Sequence, residues 1–346
     1  MKSIVSVLLM LTAVLILMQA ACRGAAKPQD SHPPAGTPAV SQTLPPRATS
    51  TQSLALPTLQ PPASPTPPAT VSSLLPTITP SATAEPPATA TRLAAPITFA
   101  VIGDYGGTGQ GTQDVAALVR SWDPDLVLTL GDNNYPDGEA HTLEANITQH
   151  YGSFINEGRF FPSLGNHDMT TDNGTPYLEY FDLPGNERYY DFVRGEIHFF
   201  ALNSDWREPD GIRADSRQAQ WLQERLAGST APWQVVYFHV PPYVSMVAKE
   251  VPVLRWPFAA WRADLVLSGH AHLYERLLVD GIPYVVNGLG GTVIYPIDDQ
   301  PHSASQIRYN DDFGALLVEG TAGQLRLQFV TRAGLLVDSL LLDAAN

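Results

Sequence analysis

Cysteine is almost missing from this chain: Cys22 is the only one in 346 residues. No disulfide can brace whatever folds after it, so that part must be held by its own core and any bound metal. Basic residues are scarce as well. Twenty Lys and Arg face 34 Asp and Glu, a formal charge of -14, which argues against the basic face that a nucleic-acid partner would need. The apolar run from Ile4 to Met18 is 15 residues, short of the roughly 20 that span a bilayer comfortably. Aromatic residues are absent from Lys27 to Pro96, where the chain is mostly Pro, Thr, Ser and Ala and holds more than half of its 31 prolines. Such a segment buries too little apolar surface to offset the entropy of ordering. It reads as a disordered linker, partly polyproline II, with an upper reach of around 200 Å.

The first 22 residues carry one base, Lys2, then the apolar run, then Ala20-Ala21 before Cys22. This is the layout of an export signal. A lone Cys after two small residues resembles the bacterial lipoprotein signal, although Gln19 stands where that signal usually has Leu. Ordinary cleavage near Ala21 or Ala26 and an uncleaved anchor are the alternatives. All three place the rest of the chain outside the cytoplasm, with membrane contact only through that N-terminal anchor. The organisation expected is a signal over 1–22, a linker over 23–96 and one folded domain over 97–343.

Within that domain, short apolar runs repeatedly end in Gly and then a carboxylate, amide or imidazole. The strand Ile97–Ile102 ends in Gly103-Asp104-Tyr105-Gly106, and Asp125–Leu130 ends in Gly131-Asp132-Asn133-Asn134-Tyr135. Phe160–Leu164 ends in Gly165-Asn166-His167-Asp168. Helical patterns over Gln113–Trp122 and Thr142–Phe154 separate these runs, so the order predicts a parallel βαβαβ unit that delivers its polar ends to one sheet edge. The Gly-rich loop Gly106–Thr112 has neither the Lys of a P-loop nor dinucleotide spacing.

A hairpin turning at Arg194-Gly195, a helix over Ser216–Ala227 and a strand over Gln234–Phe238 lead to His239. A helical pattern over Leu254–Trp261 precedes the run Asp264–Leu267, beyond which a turn at Gly269 would let His270 and His272 converge on one point. Gly281–Asn287 and Gly314–Leu342 alternate apolar and polar and read as antiparallel strands closing a second sheet. The fold class is α/β, a sandwich of two mixed sheets flanked by helices.

Five strand ends would then gather Asp104, Asp132, Tyr135, Asn166, His239, His270 and His272. Two carboxylates placed together raise a pKa strongly unless cations offset the repulsion. Two metal ions sharing one carboxylate is an arrangement used for in-line displacement at phosphorus.

Taken in order, Gly-Asp-x-Gly, Gly-Asp-x-x-Tyr, Gly-Asn-His-Asp, the strand-terminal His239 and Gly-His-x-His-x-Tyr-Glu-Arg at 269–276 resemble the calcineurin-like metallophosphoesterases, specifically the purple acid phosphatase branch. The resemblance spans Ile97 to Leu342. It implies that Asp104, Tyr135 and His272 bind Fe(III), that Asp132 bridges, and that Asn166, His239 and His270 bind a divalent Fe, Zn or Mn ion. It gives His167 a catalytic place, touching the phosphate and assisting the leaving group. It leaves Asp168 to orient a histidine or to serve a turn. Gly106 stands where most of the wider family has His, and Tyr135 marks the purple branch. Tyr274-Glu275-Arg276 is closer to the plant-type enzymes, whose extra site histidine has no counterpart between Val240 and Glu250. The activity implied is hydrolysis of phosphate monoesters by in-line attack of a metal-bound hydroxide. A phosphodiesterase or nucleotidase on the same scaffold, or a non-catalytic surface module, are the rivals. Oligomeric state stays open.

Overall fold

A computed structural model describes residues 96–344. The signal segment and all but the last residue of the linker lie outside them. Among the described residues no helix is long and apolar enough to cross a membrane.

Among the described residues thirteen strands form two mixed sheets. The first has the order β13-β12-β11-β1-β2-β3, from β1 (Ile97–Ile102), β2 (Leu126–Thr129), β3 (Phe160–Pro162), β11 (Gly314–Gly320), β12 (Gln324–Thr331) and β13 (Leu336–Asp343). The second has the order β10-β8-β9-β7-β6-β5-β4, from β4 (Tyr190–Arg194), β5 (Ile197–Ala201), β6 (Trp233–Tyr237), β7 (Leu265–Ser268), β8 (Tyr274–Val279), β9 (Ile282–Asn287) and β10 (Ser305–Tyr309). Strands β1, β2 and β3 run parallel, as do β5, β6, β7 and β9, while β11 pairs antiparallel with β1, β12 with β11, β13 with β12, β4 with β5, β8 with β9 and β10 with β8.

The helices are α1 (Gln110–Trp122), α2 (Gln149–Asn156), α3 (Thr175–Tyr180) and α4 (Arg217–Ala227). Helix α4 opens where Ser216 accepts a hydrogen bond from the Ala219 amide at 3.2 Å, an N-cap that satisfies one orphan donor of the first turn. Helices α1 and α2 make the two crossovers of the parallel unit.

Period-two alternation sorts the second sheet's side chains. Phe199, Val235, Tyr237, Leu265 and Leu267 join the larger core, shared with Phe99, Val101 and Phe329 of the first sheet. Phe200, Val236 and Val266 join a second core with Leu222 and Leu226 of α4. Phe99 and Phe199 meet edge to face across the sheets at 5.1 Å.

Three local expectations differ from the structure. Strands β11 to β13 do not close the second sheet. They extend the first, because β1 leaves an open edge on which β11 pairs antiparallel from Ile97↔Gly320 to Val101↔Leu316. The stretch Leu254–Trp261 is not a helix: a 3-10 turn at Pro252–Leu254 precedes irregular chain. Pro257 lacks an N–H and disfavours the helical conformation of Trp256. The apolar spacing instead buries Trp256 and Phe258 in the second core. The Thr142–Phe154 helix is divided, a π-helical turn at Glu144–Thr148 preceding α2.

Candidate metal centre

The parallel strands of both sheets end at one edge, and the expected residues meet there. Asp104, Asp132 and Asn166 follow β1, β2 and β3 of the first sheet. His239, His270 and His272 follow β6 and β7 of the second. The cluster therefore lies on the seam between the two sheets.

Contacts divide it into two donor sets. In one, Tyr135 Oη lies 3.3 Å from Asp104 Oδ1, 3.0 Å from Asp132 Oδ2 and 3.4 Å from His272 Nε2, and His272 Nε2 lies 3.1 Å from Asp104 Oδ1. In the other, His239 Nε2 lies 3.0 Å from Asn166 Oδ1, 3.1 Å from His270 Nδ1 and 3.3 Å from Asp132 Oδ2. Asp132 Oδ2 is common to both. The rings of His270 and His272 thus part, one to each set, and do not converge on a single point.

Outer contacts decide which atom each ligand presents. His239 Nδ1 donates to the Leu130 carbonyl at 2.7 Å and His272 Nδ1 to the Val293 carbonyl at 2.9 Å, so Nε2 is the atom that each ring turns to the cluster. Asp104 Oδ2 accepts from the His270 amide at 2.8 Å and Asp132 Oδ1 from the His167 amide at 2.9 Å, which leaves Oδ1 and Oδ2 respectively facing inward. His239 Nε2 faces both Asn166 Oδ1 and Asp132 Oδ2, a place that a proton on Nε2 or a cation between the three atoms would fill. Oxygen and imidazole donors in these sets suit iron, zinc or manganese.

Electrostatics agree. Burial pushes the Asp132 carboxyl up, yet the neighbouring His239 and His167 bring it below the usual carboxylate range. Burial opposes charge on His239, but Asp132 and Asp104 outweigh it and raise the ring to about 9. Burial, then the charges of His239 and Lys249, hold His270 at about 3. Burial and both carboxylates push the Tyr135 phenol far up. The pull of both carboxylates on His239 and on Tyr135 marks the cluster as a receptor for cations.

The backbone is bent to make this meeting. Asp104, Asp132 and His270 have φ of 57°, 51° and 67°, left-handed values uncommon outside glycine and of the kind that collects at functional sites. Gly131, Gly165 and Gly269, each just before a donor, clear room for another one. A Cβ on Gly131, itself at φ +82°, would lie 2.7 Å from the His239 ring.

His167 sits at the mouth, its side chain 38% exposed, with Nδ1 on the Pro136 carbonyl and Nε2 3.9 Å from Asp132 Oδ2. Asp168 touches no histidine. It is buried and accepts from the amides of Gly165 at 2.8 Å and Asn133 at 3.0 Å, tying the turns after β2 and β3 together. Sequence reasoning passed over Thr292, whose hydroxyl donates to the Asp104 carbonyl at 2.9 Å, and Tyr295, whose ring stacks on His272 at 4.2 Å. The glycine run Gly288–Gly291 just beyond β9 was the available signal. The Gly106–Thr112 loop is no open cradle, since Gly111 packs against Gly291 and the Phe313 ring.

Comparison with known proteins follows the same line. Purple acid phosphatase 22 of Arabidopsis thaliana is 30% identical over 203 residues, covering 52% of this chain and 45% of that protein. The Fe(3+)-Zn(2+) purple acid phosphatase 12 of the same plant is 27% identical, covering 59% and 48%. The chain thus spans about half the length of the curated relatives it matches. Among solved structures, purple acid phosphatase PPD1 from yellow lupin (Lupinus luteus) seeds superposes with a TM-score of 0.61 at 19% identity, over 72% of this chain and 54% of that one. GAP50, the anchor in the inner membrane complex of Plasmodium, gives 0.60 at 16%, over 73% and 90%. Those two likenesses establish the fold. The family model for calcineurin-like phosphoesterases matches residues 97–274, more than half of the chain, which accordingly belongs to the calcineurin-like phosphoesterase family.

Proposed function

We propose that residues 97–343 are the catalytic domain of an exported, binuclear metal-dependent phosphatase acting on phosphate monoesters, carried on the 23–96 linker and anchored through Cys22. One observation carries the reading: two donor sets share a single carboxylate oxygen, Asp132 Oδ2. Asp104, Tyr135 and His272 would hold one ion and Asn166, His239 and His270 the other, with Asp132 between. Tyr135 favours Fe(III) in the first place, because a phenol set against two carboxylates gives up its proton only to a strong cation.

When bound, the two ions supply Lewis-acid activation of water and neutralise charge developing on phosphorus. The chain does the rest. The seam between the sheets fixes the ligands in place before substrate arrives, so little reorganisation accompanies reaction. The Pro136 carbonyl orients the His167 ring at the mouth, where its Nε2 can give a proton to the departing alcohol.

Metal analysis and a visible spectrum of the purified protein, with turnover of a monoester and a bis-ester, test this. Iron with a second ion, a charge-transfer band lost in Tyr135→Phe, and monoester turnover abolished by chelator are expected. A colourless, iron-free, active protein would remove the ferric assignment. Faster turnover of the bis-ester would replace monoesterase by diesterase, and full metal occupancy with no turnover would leave a binding module.

A further inference from the structure

The loop after His239 carries Lys249, the only lysine among the described residues. It ends the 3-10 turn Val247–Lys249, and its amide donates to the Met246 carbonyl at 2.9 Å. The loop is held at both ends. Ser245 bonds Glu275 through its amide at 2.7 Å and its hydroxyl at 2.5 Å, and the Val251 amide donates to the Pro241 carbonyl at 3.0 Å. From this base the Lys249 ammonium stands 5.1 Å from the centre of the Tyr295 ring, the same ring that stacks on His272.

No carboxylate neutralises it among the described residues. The adjacent Glu250 is turned to Arg255 at 2.7 Å. Arg207, also set against the cluster, is committed: it grips Asp205 at 2.7 and 2.8 Å and donates to the Asn166 carbonyl at 2.9 Å. Lys249 is therefore a cation without a carboxylate partner among the described residues, close to a site built around two carboxylates. A cation–π contact to a partly exposed ring is a weak hold and leaves the ammonium able to reach a ligand.

We propose that Lys249 is a substrate-positioning residue that pairs with a non-bridging oxygen of the phosphate group and favours dianionic monoesters over monoanionic diesters. A monoester carries its second charge above a pKa of about 6, whereas a diester never gains one. The proposal rests on the phosphoesterase reading above.

The test compares Lys249→Met and Lys249→Arg with wild type in the metal-loaded, full-length protein. Calorimetry with inorganic phosphate reads binding without turnover, and kcat/KM on a monoester and a bis-ester reads selectivity. Expected for Lys249→Met are phosphate binding about ten- to a hundredfold weaker, a similar fall in monoester kcat/KM, and a bis-ester value within about threefold of wild type. Lys249→Arg should restore phosphate binding to within about threefold, since it keeps the charge. Phosphate affinity of Lys249→Met within about twofold of wild type overturns the proposal, whatever the activity. If wild type turns over no phosphoester yet its phosphate affinity falls with Lys249→Met, the anion contact stands and the catalytic reading fails.

Discussion

Because ligands from two sheets form one cluster, whatever fixes the sheets against each other also fixes the site. Tyr274-Glu275-Arg276, the end of the 269–276 motif, does this. Arg276 of β8 grips Asp338 of β13 through Nε at 2.6 Å and Nη2 at 3.0 Å, and Tyr274 Oη donates to the same carboxylate at 2.8 Å. Strand β8 belongs to the second sheet and β13 to the first, so these three bonds are a clamp between them. Asp338→Ala strands a largely buried guanidinium and a buried hydroxyl, a loss of about 3–5 kcal/mol. For a domain of this size that is a fall in Tm of roughly 6 to 20 °C. Replacing both partners, as in Arg276→Met with Asp338→Leu, should cost less than Asp338→Ala alone, since no orphan charge remains. The clamp also has a pH signature. Burial raises the Asp338 carboxyl, but Arg276 and Tyr274 outweigh burial and hold it below the usual range. A depressed folded-state pKa gives stability present in full above the unfolded value of about 3.9 and lost as pH falls through the folded value. Thermal scans from pH 3 to 7 should show the wild-type advantage over Asp338→Ala constant above about pH 5 and shrinking below about pH 4. An Asp338→Ala protein within about 1 kcal/mol of wild type at neutral pH would refute the clamp.

Two further outcomes follow from the site. His167→Ala should lower kcat about 10²- to 10⁴-fold on alkyl phosphates and far less on nitrophenyl phosphate, whose leaving group needs no proton; equal losses on both would remove the proton-donor role. Gly269→Ala would set a Cβ 2.7 Å from Asp104 Oδ2 and 2.8 Å from the Leu130 carbonyl, moving a ligand and lowering kcat about a hundredfold. Gly323→Ala, where no atom lies within 4 Å, should leave kcat unchanged in the same assay.

The site was legible because its geometry leaves a local mark. Donors that must crowd one point leave no room for a Cβ just before them, so Gly103, Gly131, Gly165 and Gly269 each precede a donor, and each would drive a side chain into a neighbouring element if substituted. Strand order was legible where strands alternate with helices, since βαβ connections admit one arrangement. It was illegible for β11 to β13, because an antiparallel meander carries no record of which sheet has the open edge; that depends on β1, over 200 residues earlier. The same reasoning explains the outer residues. Thr292 and Tyr295 act through a backbone carbonyl and a stacked ring, contacts that any of several residue types could make, so their positions leave no spacing to read. Lys249 is of this second kind: a long flexible side chain can reach the cluster from many loop positions, and nothing but its lack of a partner distinguishes it. The donors of the cluster are thus written in the pattern of the chain. Groups outside that pattern, such as Lys249 and Tyr295, are placed by how the loops fold around the cluster, which no spacing in the sequence records.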